Sequence, residues 1–74
     1  MKLNTIKKNL TELHDKNVVI LFSYSTPVAY VDSKGIIKVT SEKYSATTTR
    51  HINGWLDGRS FEIVPQSELF EVSR

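Results

Sequence analysis

Apolar residues recur in the first fifteen positions at Leu3, Ile6, Leu10 and Leu13, an i, i+3, i+7, i+10 spacing. That spacing draws one stripe along a helix. Thr5, Lys8, Glu12 and Lys16 fall opposite it, and Lys8–Glu12 and Glu12–Lys16 are opposite charges four residues apart. The pattern predicts a helix over about residues 3–15. Val18-Val19-Ile20-Leu21-Phe22 is apolar without interruption and rich in β-branched residues, so it predicts a central strand covered on both faces. Ser23 to Pro27 has turn chemistry, because Pro27 lacks an amide donor and pushes Thr26 out of helical space. Val28 to Asp32 alternates, with Val28 and Tyr30 on one face and Ala29 and Val31 on the other. Asp32-Ser33-Lys34-Gly35 then predicts a hairpin turn, and Ile36 to Thr40 the returning strand.

The stretch Lys43 to Leu56, KYSATTTRHINGWL, is the most distinctive in the chain. Ser45 is a good N-cap, with Thr47 as a competitor. Wound as a helix from Ala46, the segment places Thr48, Ile52, Trp55 and Leu56 on one face. Thr47, Arg50, His51 and Gly54 share another, and Gly58 stands where a C-terminal cap belongs. The Thr triplet is poor helix material, so an extension of a strand through Thr47–Thr49 is the alternative. Phe61 to Val64 reads as a short strand stopped by Pro65, and Ser67 to Arg74 as a turn of helix or an irregular tail. The expected fold is a small single α+β domain over residues 1–74, in the order α-β-β-β-α-β, with a mostly antiparallel sheet and helices on one face.

Composition narrows the chemistry. The chain has 74 residues and no Cys, so neither a disulfide nor a thiolate metal site assists a small core. A homodimer interface is the expected supplement. No apolar run reaches the roughly 20 residues that span a bilayer, and the N-terminus lacks a signal-peptide core. A cytoplasmic protein with no membrane partner is expected. Net charge is +2, divided unevenly: residues 1–50 carry eight Lys/Arg against four Asp/Glu, and the remainder two against four. A basic N-terminal half suits phosphates or an acidic protein.

No catalytic set stands out. His14 and His51 are the only histidines, the three glycines do not form a phosphate loop, and no metal-ligand spacing occurs. Ser23, Ser25 and Ser45 lack an activating context. No cofactor or metal is expected. The candidate binding residues are Lys43, Thr47, Arg50, His51 and Gly54. Gly54 either admits close approach of a partner or marks an early helix end. Tyr24, Thr26, Tyr44, Ser45, Thr48, Ile52 and Trp55 are expected to be structural, with Tyr44, Thr48 and His51 as candidates for bonding to the Ser23–Pro27 turn.

Two resemblances bear on function. The α-β-β-β-α order resembles that of double-stranded-RNA-binding domains and of small ribonuclease toxins of the HicA type. The toxins' catalytic His near the first hairpin has no counterpart in SYSTPVAY. Separately, SYSTPVAYVD together with KYSATTTRHINGWL resembles a family of small bacteriophage and prophage proteins with the pattern Y-x-T-x-VA followed by KYS-x-TT-x-RHIN. The likeness covers about residues 22–56. It falls on Tyr24, Thr26, Val28 and Ala29, then on Lys43, Tyr44, Ser45, Thr48, Thr49, Arg50, His51, Ile52 and Asn53. It implies a phage setting, in which binding a host protein is the leading expectation. A nucleic-acid-binding module is the alternative, and a ribonuclease-like toxin the second.

Overall fold

The computed structural model describes residues 2–7, 9–15 and 17–73, with the side chains of residues 2–7 left aside. Its elements run β1 (Lys2–Lys7), β2 (Leu10–Asp15), β3 (Val18–Ser23), β4 (Thr26–Val31), β5 (Ile37–Thr40), α1 (Ala46–Leu56), β6 (Glu62–Val64) and α2 (Gln66–Val72). The six strands form one sheet in sequence order. Strands β1 to β5 pair as antiparallel neighbours, and β6 joins β5 in parallel after the α1 crossover. The fold is α+β with a mostly antiparallel sheet, as the pattern predicts. From β3 to β6 the element order is also the expected one.

The first element is not. The segment expected as a helix over about residues 3–15 is a β-hairpin, β1 with β2, and the α-β-β-β-α order is absent. The reason lies in β3. A strand apolar on both faces in the middle of a sheet needs a backbone partner at each edge, and β4 supplies one side only. Residues 10–15 supply the other, from Leu10↔Ser23 to Asp15↔Val18. Asn9 turns the hairpin with a left-handed backbone at φ 65°, which Asn tolerates. Lys8 and Lys16, the partners expected for Glu12, lie outside the described residues.

The helices cover opposite faces, which corrects the expectation of one. Leu10, Leu21, Ala29, Ile37 and Val39 form a cluster with Leu56, against which Ile52 and Trp55 of α1 also pack. Ile20, Tyr30 and Val64 form a second with Leu69 of α2, joined by Leu13, Phe22 and Val72. The alternation of β3 produces this directly: Ile20 faces α2 and Leu21 faces α1. Each is 3 % exposed or less. Register shifts between Leu21↔Ala29 and Phe22↔Pro27. That bulge leaves Val28 packing with the α1 cluster, not on the face of Tyr30 as strict alternation expects.

Side-chain hydrogen bonds fasten both helices. The Trp55 indole N–H donates to Glu12 Oε2 at 2.6 Å, tying α1 to β2. The Tyr30 hydroxyl donates to Glu68 of α2. Gln66 Nε2 donates to the Pro27 carbonyl at 2.7 Å, and its Oε1 accepts from the Thr40 hydroxyl at 2.6 Å. Among the described residues no buried side-chain N or O lacks a partner. No helix among them is long and apolar enough to cross a membrane.

Candidate functional site

Helix α1 begins where capping chemistry puts it. Ser45 is extended, and its hydroxyl accepts from the Thr48 N–H at 3.3 Å. The Thr triplet is helical, since the cap satisfies the first turn and Thr48 is buried against the sheet at 5 % exposure. Gly54 does not end the helix, which continues to Leu56. Asp57 caps it with φ 48°, and Gly58 follows with φ 80°. The expected packing face is the observed one: Thr48 and Leu56 are buried, and Ile52 and Trp55 are half-buried.

Beneath the first two turns of α1 lies the β3–β4 turn. Ser23 closes β3 and is 2 % exposed. Its Oγ is 3.1 Å from Thr48 Oγ1 and 3.0 Å from His51 Nδ1. The Ser45 hydroxyl in turn donates to Thr48 Oγ1 at 3.4 Å. One proton arrangement satisfies the chain: Ser45 donates to Thr48, Thr48 to Ser23, and Ser23 to an imidazole that carries its proton on Nε2. The expected bond between α1 and the SYSTP turn therefore exists, made by Thr48 and His51. Tyr44 takes no part and is exposed.

Within the Ser23–Pro27 turn it is Ser23 that takes both bonds, a residue the sequence marks only as part of that turn. Its partners are 25 and 28 positions away, so nothing local marks the contacts. A Ser–His contact invites comparison with a nucleophile and base. The geometry does not support catalysis by that pair. The Ser23 hydroxyl is sealed under α1, and no carboxylate orients His51 among the described residues.

Tyr24 follows with φ 60°, a conformation costing about 1–3 kcal/mol for a bulky residue. The turn is over-determined around it: Ser23 pairs with Thr26, and Tyr24 N–H donates to the Asn9 carbonyl at 2.7 Å. The left-handed backbone turns the side chain outward, where it is 55 % exposed. Its ring centroid stands 6.3 Å from that of His51, tilted by 43°. Thr47, Arg50 and Gly54 are exposed along the same helix, and Lys43 is exposed before it. His51 is half-buried and lies between the network and the patch. The candidate surface thus gathers Tyr24, Thr47, Arg50 and His51 over a hydrogen-bonded base. Tyr24 belongs to its surface, not only to its framework.

Of the basic residues, Lys43 and Arg50 stand at this surface and Lys38 does not. Lys38 extends on the opposite side of the sheet, 5.6 Å from the Tyr30 ring centroid and 3.6 Å from Asp32. Tyr30 is buried and offers bases no exposed face to stack on. The side chain of Lys7, and Lys8 as a whole, lie outside the described residues.

A second constellation escaped sequence reading. Glu12 accepts from Trp55 on one oxygen and stands 2.9 Å from His14 Nε2 on the other. Arg59 covers the Trp55 ring at 5.1 Å. Partial burial of Glu12 opposes its charge, but the Trp55 and His14 hydrogen bonds, with the fields of His14 and Arg59, hold its carboxyl below the usual glutamate range. This is a tether between β2 and α1. Among the described residues no three His, Asp or Glu side chains converge as a metal site.

The chain belongs to a family of unknown function, DUF8033, whose model matches residues 1–71. No match is found among curated proteins or among solved structures.

Proposed function

We propose that this is a non-enzymatic bacteriophage or prophage accessory protein that acts in the host cytoplasm by binding a host protein. The observation that carries the reading is Tyr24, an aromatic side chain held outward by a left-handed backbone at the cost of local strain. Strain of that kind persists where a side chain is needed at the surface. Tyr and Arg are the residue types that dominate protein interfaces, since each gives large contact area and directed hydrogen bonds. Arg50 extends from the same end of α1 and has no ion-pair partner among the described residues. Beneath them the Ser23–Thr48–His51 bonds keep helix and turn in fixed relation, which lowers the entropy lost on docking. The phage setting rests on the motif resemblance across residues 22–56.

Nucleic acid fits less well. The order that resembled double-stranded-RNA-binding domains and ribonuclease toxins contained a first helix, and that segment is β1 and β2. Lys38 lies across the sheet from Arg50.

The test uses Tyr24→Asn with Arg50→Ala. Asn keeps the left-handed turn while removing the ring. The wild-type chain, immobilised in a bacterial lysate, is expected to retain a protein that the double variant does not. The purified partner is then expected to bind wild type at least tenfold more tightly, with the double variant at least as stable to heat as wild type. Equal retention by both chains removes the proposal. Salt-dependent retardation of duplex RNA or DNA by wild type alone transfers the site to nucleic acid.

A further inference from the structure

The far edge of the sheet carries a second feature, independent of the Tyr24 surface. Strand β6 is an outermost strand, and its Ile63 is 59 % exposed and Phe61 before it 46 %. Ile63 pairs with Val39, whose side chain belongs to the α1 cluster, yet α1 leaves Ile63 uncovered. Strand β6, Glu-Ile-Val, is short, carries Glu62 and is closed by Pro65, so Ile63 is the one apolar position that its open edge presents.

We propose that β6 pairs with β6 of a second copy of this chain, antiparallel about a two-fold axis through Ile63. The backbone sets the register. The Val64 carbonyl accepts from the Ser41 N–H at 2.8 Å, so the peptide groups of Val64 turn toward β5. Residues alternate in a parallel ladder, and the N–H and C=O of Ile63 therefore face the open edge. Centred on Ile63, the two strands exchange both bonds between the two Ile63 residues. All three β6 residues are used, with Glu62 opposite the second copy's Val64. No carboxylate then meets its own copy, whereas a register shifted to Glu62 opposes like charges. On the α1 side the two Ile63 side chains meet directly, which buries the most exposed large apolar side chain among the described residues. Helix α2 returns over β4 through Tyr30 and Pro27, leaving the edge open to approach. A pairing this short buries well under the roughly 1,200 Å² of a standard interface, so the dimer is weak and depends on concentration.

The absence of Cys makes the register testable. In sedimentation velocity over a concentration series, the mass of wild type is expected to rise toward that of a dimer. Ile63→Lys, whose circular dichroism and thermal midpoint should match wild type, is expected to weaken association at least about tenfold. Under mild oxidant, Ile63→Cys is expected to form a disulfide-linked dimer well ahead of Ile36→Cys, an exposed position just before β5. The Cys pair reports the register even if the Lys variant fails to fold. A wild type that stays monomeric to roughly 1 mM overturns the proposal. Association indifferent to Ile63→Lys, or equal cross-linking at positions 63 and 36, does the same.

Discussion

The Nδ1 of His51 and the hydroxyl of Ser23 lie 3.0 Å apart across 28 positions of sequence. This contact joins the Lys43–Leu56 stretch to the turn preceding Pro27, the two segments that the sequence motif pairs. It gives the motif a physical meaning. The residues that look like a site are held together by buried hydroxyls, and that framework presents Tyr24 and Arg50.

A double-mutant cycle measures the framework. Ser23→Ala leaves Thr48 and His51 short of a partner in a buried position and is expected to destabilise the chain by about 1–3 kcal/mol. His51→Ala is expected to cost less, because His51 is half-buried. The double variant should fall short of the sum by about 0.5–1.5 kcal/mol, read from urea unfolding at pH 7. Strict additivity would mean that the contact contributes nothing.

Trp55→Phe tests the tether to Glu12. It leaves the carboxylate without its indole donor and is expected to cost about 1–2 kcal/mol at neutral pH. The folded-state pKa of Glu12 lies below its ordinary value, so the stability it contributes is complete above the unfolded pKa. That stability is lost as pH falls through the folded one. The difference between wild type and Trp55→Phe should therefore shrink between pH 6 and pH 3, as urea midpoints at several pH values will show.

Gly54→Ala should stabilise. A Cβ at position 54 meets nothing within 4 Å, and the residue lies inside α1. Replacing a helix-interior Gly by Ala is worth about 0.5–1 kcal/mol, visible as a higher thermal midpoint. Partner capture should survive this change if Gly54 is only a helical position, and weaken if a partner approaches its backbone.

Tyr30→Phe removes the donor to Glu68 and should loosen α2 before the rest of the chain. A stability loss of about 1–2 kcal/mol is expected. Faster amide exchange should appear over Gln66–Val72, and exchange in α1 should change less.

Much of the middle of the chain is legible locally. The β-branched run of β3, the Asp32–Gly35 turn with Gly35 at φ 85°, and the Ser45 cap each rest on interactions within a few residues. Asp32 shows why such signals hold: its Oδ1 accepts from the N–H groups of Lys34 and Ile36 at 2.9 and 3.0 Å, so the turn contains its own bonds. The candidate patch is legible in part. Thr47, Arg50 and Gly54 follow from helical spacing alone. Tyr24 needs the turn's backbone angle, and Ser23 and Glu12 need partners from elements far away in sequence.

The amino-acid sequence by itself determined the α+β class, the strands from Val18 to Thr40, the capped helix over Ala46–Leu56 and its packing face. It determined these because the bonds involved close within a turn or follow a short period. Tertiary structure alone decided the fate of the N-terminal segment. Leu10 and Leu13 satisfy a helical period, yet they enter a strand and face opposite clusters, because β3 needs an edge partner more than a short helix needs its stripe. It also decided which face each helix covers and which hydroxyl His51 meets, since those outcomes depend on pairing register, and register is a property of two strands and not of one.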